Sequence, residues 1–105
     1  MSAERELPRF RPPHPGEYIR DDILPSLEMT ITDLAEHLGV SRASLSELVN
    51  GNRSLSIEMA QRLGQAFGNG TRFWVQLQMQ RDIWDAEKNS GIKIKLLRQR
   101  SGKAA

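Results

Sequence analysis

Within VSRASLSELVNGNRS, residues 40–54, small and hydrogen-bonding side chains recur where a helix would turn them outward: Arg42, Ala43, Ser44, Ser46 and Glu47. Such a set can lie against base edges in a DNA major groove. An arginine fork matches the O6 and N7 acceptors of guanine, an alanine methyl packs on a thymine methyl, a serine bonds a base or a phosphate, and a carboxylate accepts from cytosine N4. Arg42 is therefore the candidate guanine reader, with Ala43 and Ser44 beside it. Glu47 either accepts from cytosine or holds Arg42 in place. Around them Thr30, Thr32, Ser41, Ser46, Asn50, Asn52, Arg53 and Ser54 offer hydroxyl, amide and guanidinium donors suited to phosphate oxygens, contacts that set register without reading sequence.

The elements that must hold these groups are legible around them. Thr30 and Asp33 have capping-box spacing. The short helix they open places Leu34, Ala35 and Leu38 on one face before Gly39 ends it. Ser41 caps the next helix, whose Leu45, Leu48 and Val49 form an apolar stripe up to the turn pair Asn50-Gly51. Ala35 is small where the two helices meet, and Val40 fills the space beneath. Residues 31–50 thus have the internal logic of a helix-turn-helix.

Three further helices are expected. The first starts near Gly16, with Glu17 in its first turn, Tyr18, Ile19, Ile23 and Leu27 at helical spacing, and Pro25 as a kink or restart. The fourth starts at Ser56 and turns Ile57, Ala60, Leu63 and Phe67 inward until Gly68-Asn69-Gly70. The fifth, capped by Thr71 and running over about residues 72–88, carries two apolar stripes: Phe73, Leu77 and Trp84, and on nearly the opposite side Val75, Met79, Ile83 and Ala86. One stripe suits the domain's own core. The other, Val75, Met79, Ile83 and Ala86, is the expected dimer interface, unless an arm or tail folds back over it.

Charge is uneven along the 105 residues. The net +2 divides into +1 over residues 1–20, −5 over 21–87 and +6 over 88–105. An acidic middle is unfavourable for a polyanion, so a local basic face must dominate, with arm and tail cations compensating. If it did not, the chain would be a plain five-helix bundle with Arg42 and Arg53 as solvated charges.

The composition excludes other chemistry. With no cysteine, disulfides, thiolate-held metals and thiol nucleophiles are absent. His14 and His37 have no partners at metal-ligand spacing and read as solvated histidines. The glycines of GQAFGNG follow a helix rather than a strand and make no phosphate loop, and Ser41, Ser44 and Ser46 have no positioned base. One small core leaves no room for a deep catalytic cleft, so no enzyme, metal, cofactor or small-molecule ligand is expected. The opening MSAERELPRF leads into no apolar segment, and no run approaches a membrane span, so a cytoplasmic location is expected.

Taken together, His14-Pro15-Gly16-Glu17, Val40-Ser41-Arg42, Leu48-Val49-Asn50-Gly51-Asn52-Arg53, Glu58-Met59-Ala60 with Arg62-Leu63, and Phe73-Trp74, Leu77-Gln78 and Asp82-Ile83-Trp84 resemble the HigA-type antitoxins of the phage-repressor-like (XRE) helix-turn-helix family, over about residues 14–87. The resemblance implies an all-α, five-helix domain over residues 15–88; the polar, proline-rich start reads by its composition as a flexible arm at 1–14 and the cation-rich end as a basic tail at 89–105, and the resemblance covers neither. It also implies a homodimer that binds double-stranded operator DNA at an inverted repeat in its own promoter, and that neutralises a small RelE-like mRNA-cleaving toxin by direct binding. A stand-alone XRE-type regulator with no toxin shares the same reader. A helical interaction module that no longer binds DNA would also suit the acidic middle.

Overall fold

The structure, a computed structural model, describes residues 11–98. Arm cations Arg5 and Arg9 and tail cations Arg100 and Lys103 lie outside the described residues. Among those residues there are five helical runs and no strand: α1 over residues 15–27, α2 at Ile31–Leu38, α3 at Arg42–Val49, α4 at Ile57–Phe67 and α5 at Gly70–Asn89. The all-α expectation holds.

α1 begins one residue earlier than its periodicity suggests, because His14 caps it. The His14 Nδ1 accepts from the Gly16 N–H at 2.9 Å, and the Glu17 carboxylate accepts from the His14 N–H at 3.2 Å. His14 is only 9% exposed, which corrects its reading as a solvated histidine. Pro15 occupies the first helical position, where a missing N–H costs nothing. Pro25 falls where the α-helix restarts, in the first positions of the turn Leu24–Leu27. The stretch Ile19–Ile23 is π-helical, with the Leu24 N–H reaching back to the Ile19 carbonyl. This wider turn carries the chain to a residue that has no N–H and whose ring crowds the carbonyl four back.

α2 and α3 form as expected. Thr30 and Asp33 complete a reciprocal capping box at 3.0 and 3.2 Å, Gly39 takes the left-handed conformation at φ 75°, and the Ser41 Oγ accepts from the Ser44 N–H at 3.0 Å. Arg62 adds a contact the sequence did not suggest, its Nη1 donating to the Leu38 carbonyl at 2.7 Å and so tying the end of α2 to α4.

The core gathers Ile19, Leu24, Leu34, Ala35, Leu38, Leu45, Leu48, Val49, Met59, Ala60, Leu63 and Trp74. Two expectations fail here. Ile57 is 59% exposed, because it falls at the rim of the α4 arc centred on Ala60 and Leu63, and Met59 is buried at the opposite rim. In α5 neither apolar stripe is the inward line. That line is Trp74 (0% exposed) and Gln78 (7%), which lies between the stripes. Phe73, Leu77 and Trp84 flank it on one side; Val75, Met79, Ile83 and Ala86 flank it on the other.

Trp74 earns its central position by polar as well as aromatic contacts. Its ring packs against Tyr18 and Phe67 with centroids 5.7 and 6.1 Å away. Its Nε1 donates to the Asn69 Oδ1 at 2.7 Å. Asn69, not Thr71, is thus the residue preceding α5, and its side chain serves the indole rather than the backbone. From Ser90 to Arg98 the chain is exposed and lies outside any helix.

Candidate nucleic-acid interface

The site is the outer face of α3 with the turns on either side. Ser41, Arg42, Ala43 and Glu47 are exposed, Ser44 and Ser46 are half-buried, and Asn50, Asn52 and Arg53 follow in an exposed turn that Gly51 enables at φ 76°. The positions singled out in the sequence come together. The Arg42 Nε donates to the Thr32 Oγ1 at 3.0 Å, joining α2 to α3. The Arg53 Nη1 donates to the Ser44 Oγ at 3.1 Å, and its Nη2 lies 2.7 Å from the Glu47 Oε1. The Asn50 Nδ2 donates to the Ser46 Oγ at 3.3 Å.

Glu47 therefore holds Arg53, not Arg42. Both partners are 53% exposed, so the pair adds under about 1 kcal/mol to stability. Its effect is to lay the Arg53 guanidinium along α3 beside Ser44. Thr30 and Ser41 stand at the N-termini of α2 and α3, where aligned peptide dipoles favour an anion, although each hydroxyl oxygen already accepts from its own helix. The face can thus bond a phosphate backbone from its turns while α3 presents Arg42 and the Ala43 methyl between them.

What holds the turn after α3 was not read from the sequence. The Gln78 Oε1 accepts the Leu55 N–H at 2.8 Å, and its Nε2 donates to the Asp82 Oδ1 at 2.8 Å. A buried glutamine on α5 thereby anchors the segment that carries Arg53. The start of α1 backs the same segment. Burial lowers the basicity of His14 and Arg81 adds to this, while Glu17, Asp82 and the Arg53 carbonyl act the other way. Burial raises the Glu17 pKa, but the His14 N–H, Arg11 and Arg81 outweigh it and hold the carboxyl below its usual value. Arg81 joins the two helices, 3.5 Å from Glu17 and 3.1 Å from Asp85. The spacing of His14 and Glu17 is that of a capping box, and a histidine in the capping position is what hid it.

Away from this face, Val75 is half-buried, while Met79, Ile83 and Ala86 are exposed on one side of α5. Thr71, Arg72, Val75, Gln76 and Met79 line a shallow groove there. No cluster of three or more metal-ligating side chains occurs among the described residues, and no helix of theirs is long and apolar enough to cross a membrane.

Two short helices crossed over a glycine turn, with a polar outer face on the second, define a helix-turn-helix protein. The chain belongs to the helix-turn-helix family, which matches residues 19–74, in its phage-repressor-like (XRE) branch. It is similar to YbaQ of Escherichia coli K12, an uncharacterized HTH-type transcriptional regulator, at 42% identity over 79 residues, 75% of this chain and 70% of that protein. It is similar to PA4674 of Pseudomonas aeruginosa, solved in complex with its operator DNA, at 35% identity and a TM-score of 0.74 over 78% of this chain and 88% of that one. It is also similar to the Pseudomonas aeruginosa antitoxin HigA, solved with the higBA promoter, at 33% identity and a TM-score of 0.71 over 82% of this chain and all of that one. The family is thus one of antitoxins and transcriptional regulators.

Proposed function

We propose that this protein is an antitoxin and autorepressor: a homodimer that binds an inverted-repeat operator in its own promoter through α3 and neutralises a RelE-like mRNA-cleaving toxin by direct contact. The observation that carries the DNA half is the joining of Thr32 with Arg42, and of Ser44 and Glu47 with Arg53, on one exposed face. Arg42, Ala43, Ser44 and Glu47 meet base edges. Thr30, Thr32, Ser41, Ser46, Asn50, Asn52 and Arg53 meet the backbone. Val75, Met79, Ile83 and Ala86 pair the two copies, setting the readers about one helical turn, roughly 34 Å, apart.

The toxin half is supported by similarity to a protein named as antitoxin HigA. It is tested by inducing the adjacent reading frame in growing cells, with and without this chain supplied from a second promoter. Growth arrest relieved by this chain is expected. A harmless neighbour, or an arrest that this chain does not relieve, would leave a stand-alone regulator, a reading that similarity to YbaQ favours.

A further inference from the structure

The acidic middle of the chain sets a problem that α3 alone does not solve. Residues 21–87 carry ten carboxylates against five arginines, and of the two arginines of the reading face one, Arg53, is already paired with Glu47. After Glu87 there is no further carboxylate, and six cations follow. Four of the six, Lys88, Lys93, Lys95 and Arg98, are among the described residues. Lys88 lies over the Trp84 ring, 4.6 Å from its centroid. Lys93, Lys95 and Arg98 sit on an exposed chain with no helical or sheet pairing and pair with no carboxylate among the described residues.

The place where this chain starts matters as much as its charge. The turn carrying Arg53 is fixed to the middle of α5 through Leu55 and Gln78, with Asp82 one turn on. From Asp82 to Asn89 the helix runs about 10 Å. Residues 90–98 can reach at most about 30 Å further, close to the roughly 34 Å of one duplex turn. Along it the cations Lys93, Lys95 and Arg98 are interspersed with Ile92, Ile94, Leu96 and Leu97, each of these aliphatic residues 78–90% exposed.

From this placement we infer that residues 88–98 are a second DNA-binding element: an arm that follows the phosphate backbone outside the α3 site and binds it without regard to sequence. The inference rests on the DNA-binding reading above and adds a partner contact to it. Cations on a polyanion release bound counterions, so the arm shows itself in salt dependence rather than in sequence preference. The aliphatic residues are what a protein partner would take, and the mixture of aliphatic and basic residues is what an anionic membrane would take. Both rivals are separable.

The test uses the full chain and two variant sets, K93Q/K95Q/R98Q and I92S/I94S/L96S. Affinity for its own promoter fragment and for a shuffled duplex is measured as salt is varied. The cation set is expected to make the plot of log affinity against log salt shallower by about 5.4 per bound dimer, three lost phosphate contacts in each copy at roughly 0.9 each, and to leave the promoter-to-shuffled ratio within about twofold. The aliphatic set is expected to leave the slope unchanged. An unchanged slope in the cation set would overturn the inference. So would a change confined to the aliphatic set, or loss of binding to phosphatidylglycerol vesicles in place of DNA. If the wild type binds promoter and shuffled duplex alike while the slope still follows the cations, the arm stands and the operator reading falls. If it binds neither duplex, both fall.

Discussion

The Gly16 backbone lies directly against the Leu48 carbonyl, so that a Cβ atom at residue 16 would overlap that oxygen and crowd the carbonyl carbon and the Val49 Cα. The start of α1 thus rests on the last turn of α3, whose outer face is the proposed reader. Backbone cannot yield as a flexible side chain does. Gly16→Ala is expected to lower stability by about 3 kcal/mol, read from the urea midpoint, and to weaken promoter binding because α3 must shift. A loss below about 0.5 kcal/mol, the size of an ordinary surface substitution, would contradict the contact.

The same corner predicts a pH dependence. Burial, aided by Arg81, lowers the His14 pKa below 6.5, so the unfolded chain binds this proton more readily than the folded one. Stability from His14 is therefore fully present above pH 6.5 and declines as pH falls through that value toward the lower folded pKa. Urea midpoints measured between pH 7.5 and 5.5 should fall for the wild type. They should fall less for His14→Asn, which keeps an oxygen acceptor for the Gly16 N–H but does not titrate. Equal declines would show that His14 does not titrate as a buried cap. Glu17 acts lower: its depressed pKa contributes stability above pH 4.5 that is lost as pH falls through its folded value.

The Glu47–Arg53 pair makes an opposed set of expectations. Arg53→Ala removes the proposed phosphate contact from each copy, so affinity should weaken uniformly across sequences and the salt slope become shallower by about 1.8 per bound dimer, roughly 0.9 for each contact. Glu47→Gln releases Arg53 and removes a carboxylate from the DNA face. It should strengthen binding to shuffled duplex, and change stability by less than about 1 kcal/mol. A sequence-selective loss in Arg53→Ala would place that side chain on a base instead.

Much of this was legible because the signals are local. Thr30 with Asp33, Ser41, Gly39 and Asn50-Gly51 fix caps and turns through contacts within a few residues, and Leu34, Ala35, Leu38, Leu45, Leu48 and Val49 all pack as their spacing implied. The reading face followed from the same periodicity. What the sequence hid depends on contacts between distant residues. The inward line of α5 is polar apart from Trp74, because Gln78 is buried to hold Leu55, 23 residues away. Apolar periodicity therefore pointed to the flanks. Glu47 had two arginines within reach, and nothing local says that the turn brings Arg53 the nearer.

The exposed flank of α5 gives a test of assembly. Met79 and Ile83 are 52% and 53% exposed, so charge placed there costs a monomer little, whereas burying it unpaired in a dimer contact is expensive. Met79→Glu with Ile83→Glu should remain folded by circular dichroism, sediment as a monomer and bind the promoter much more weakly than the wild type. A double variant that stays dimeric would move the interface elsewhere.

On the proposed function, α3 reads base sequence through Arg42. Affinity for the chain's own promoter fragment and for a shuffled duplex, measured for the wild type and Arg42→Ala at one salt concentration, tests it directly. The wild type should prefer the promoter, and Arg42→Ala should lose about 1 to 3 kcal/mol of that preference with shuffled-duplex binding little changed. A wild type with no preference, or an Arg42→Ala protein that keeps the full preference, would rule out base reading by Arg42.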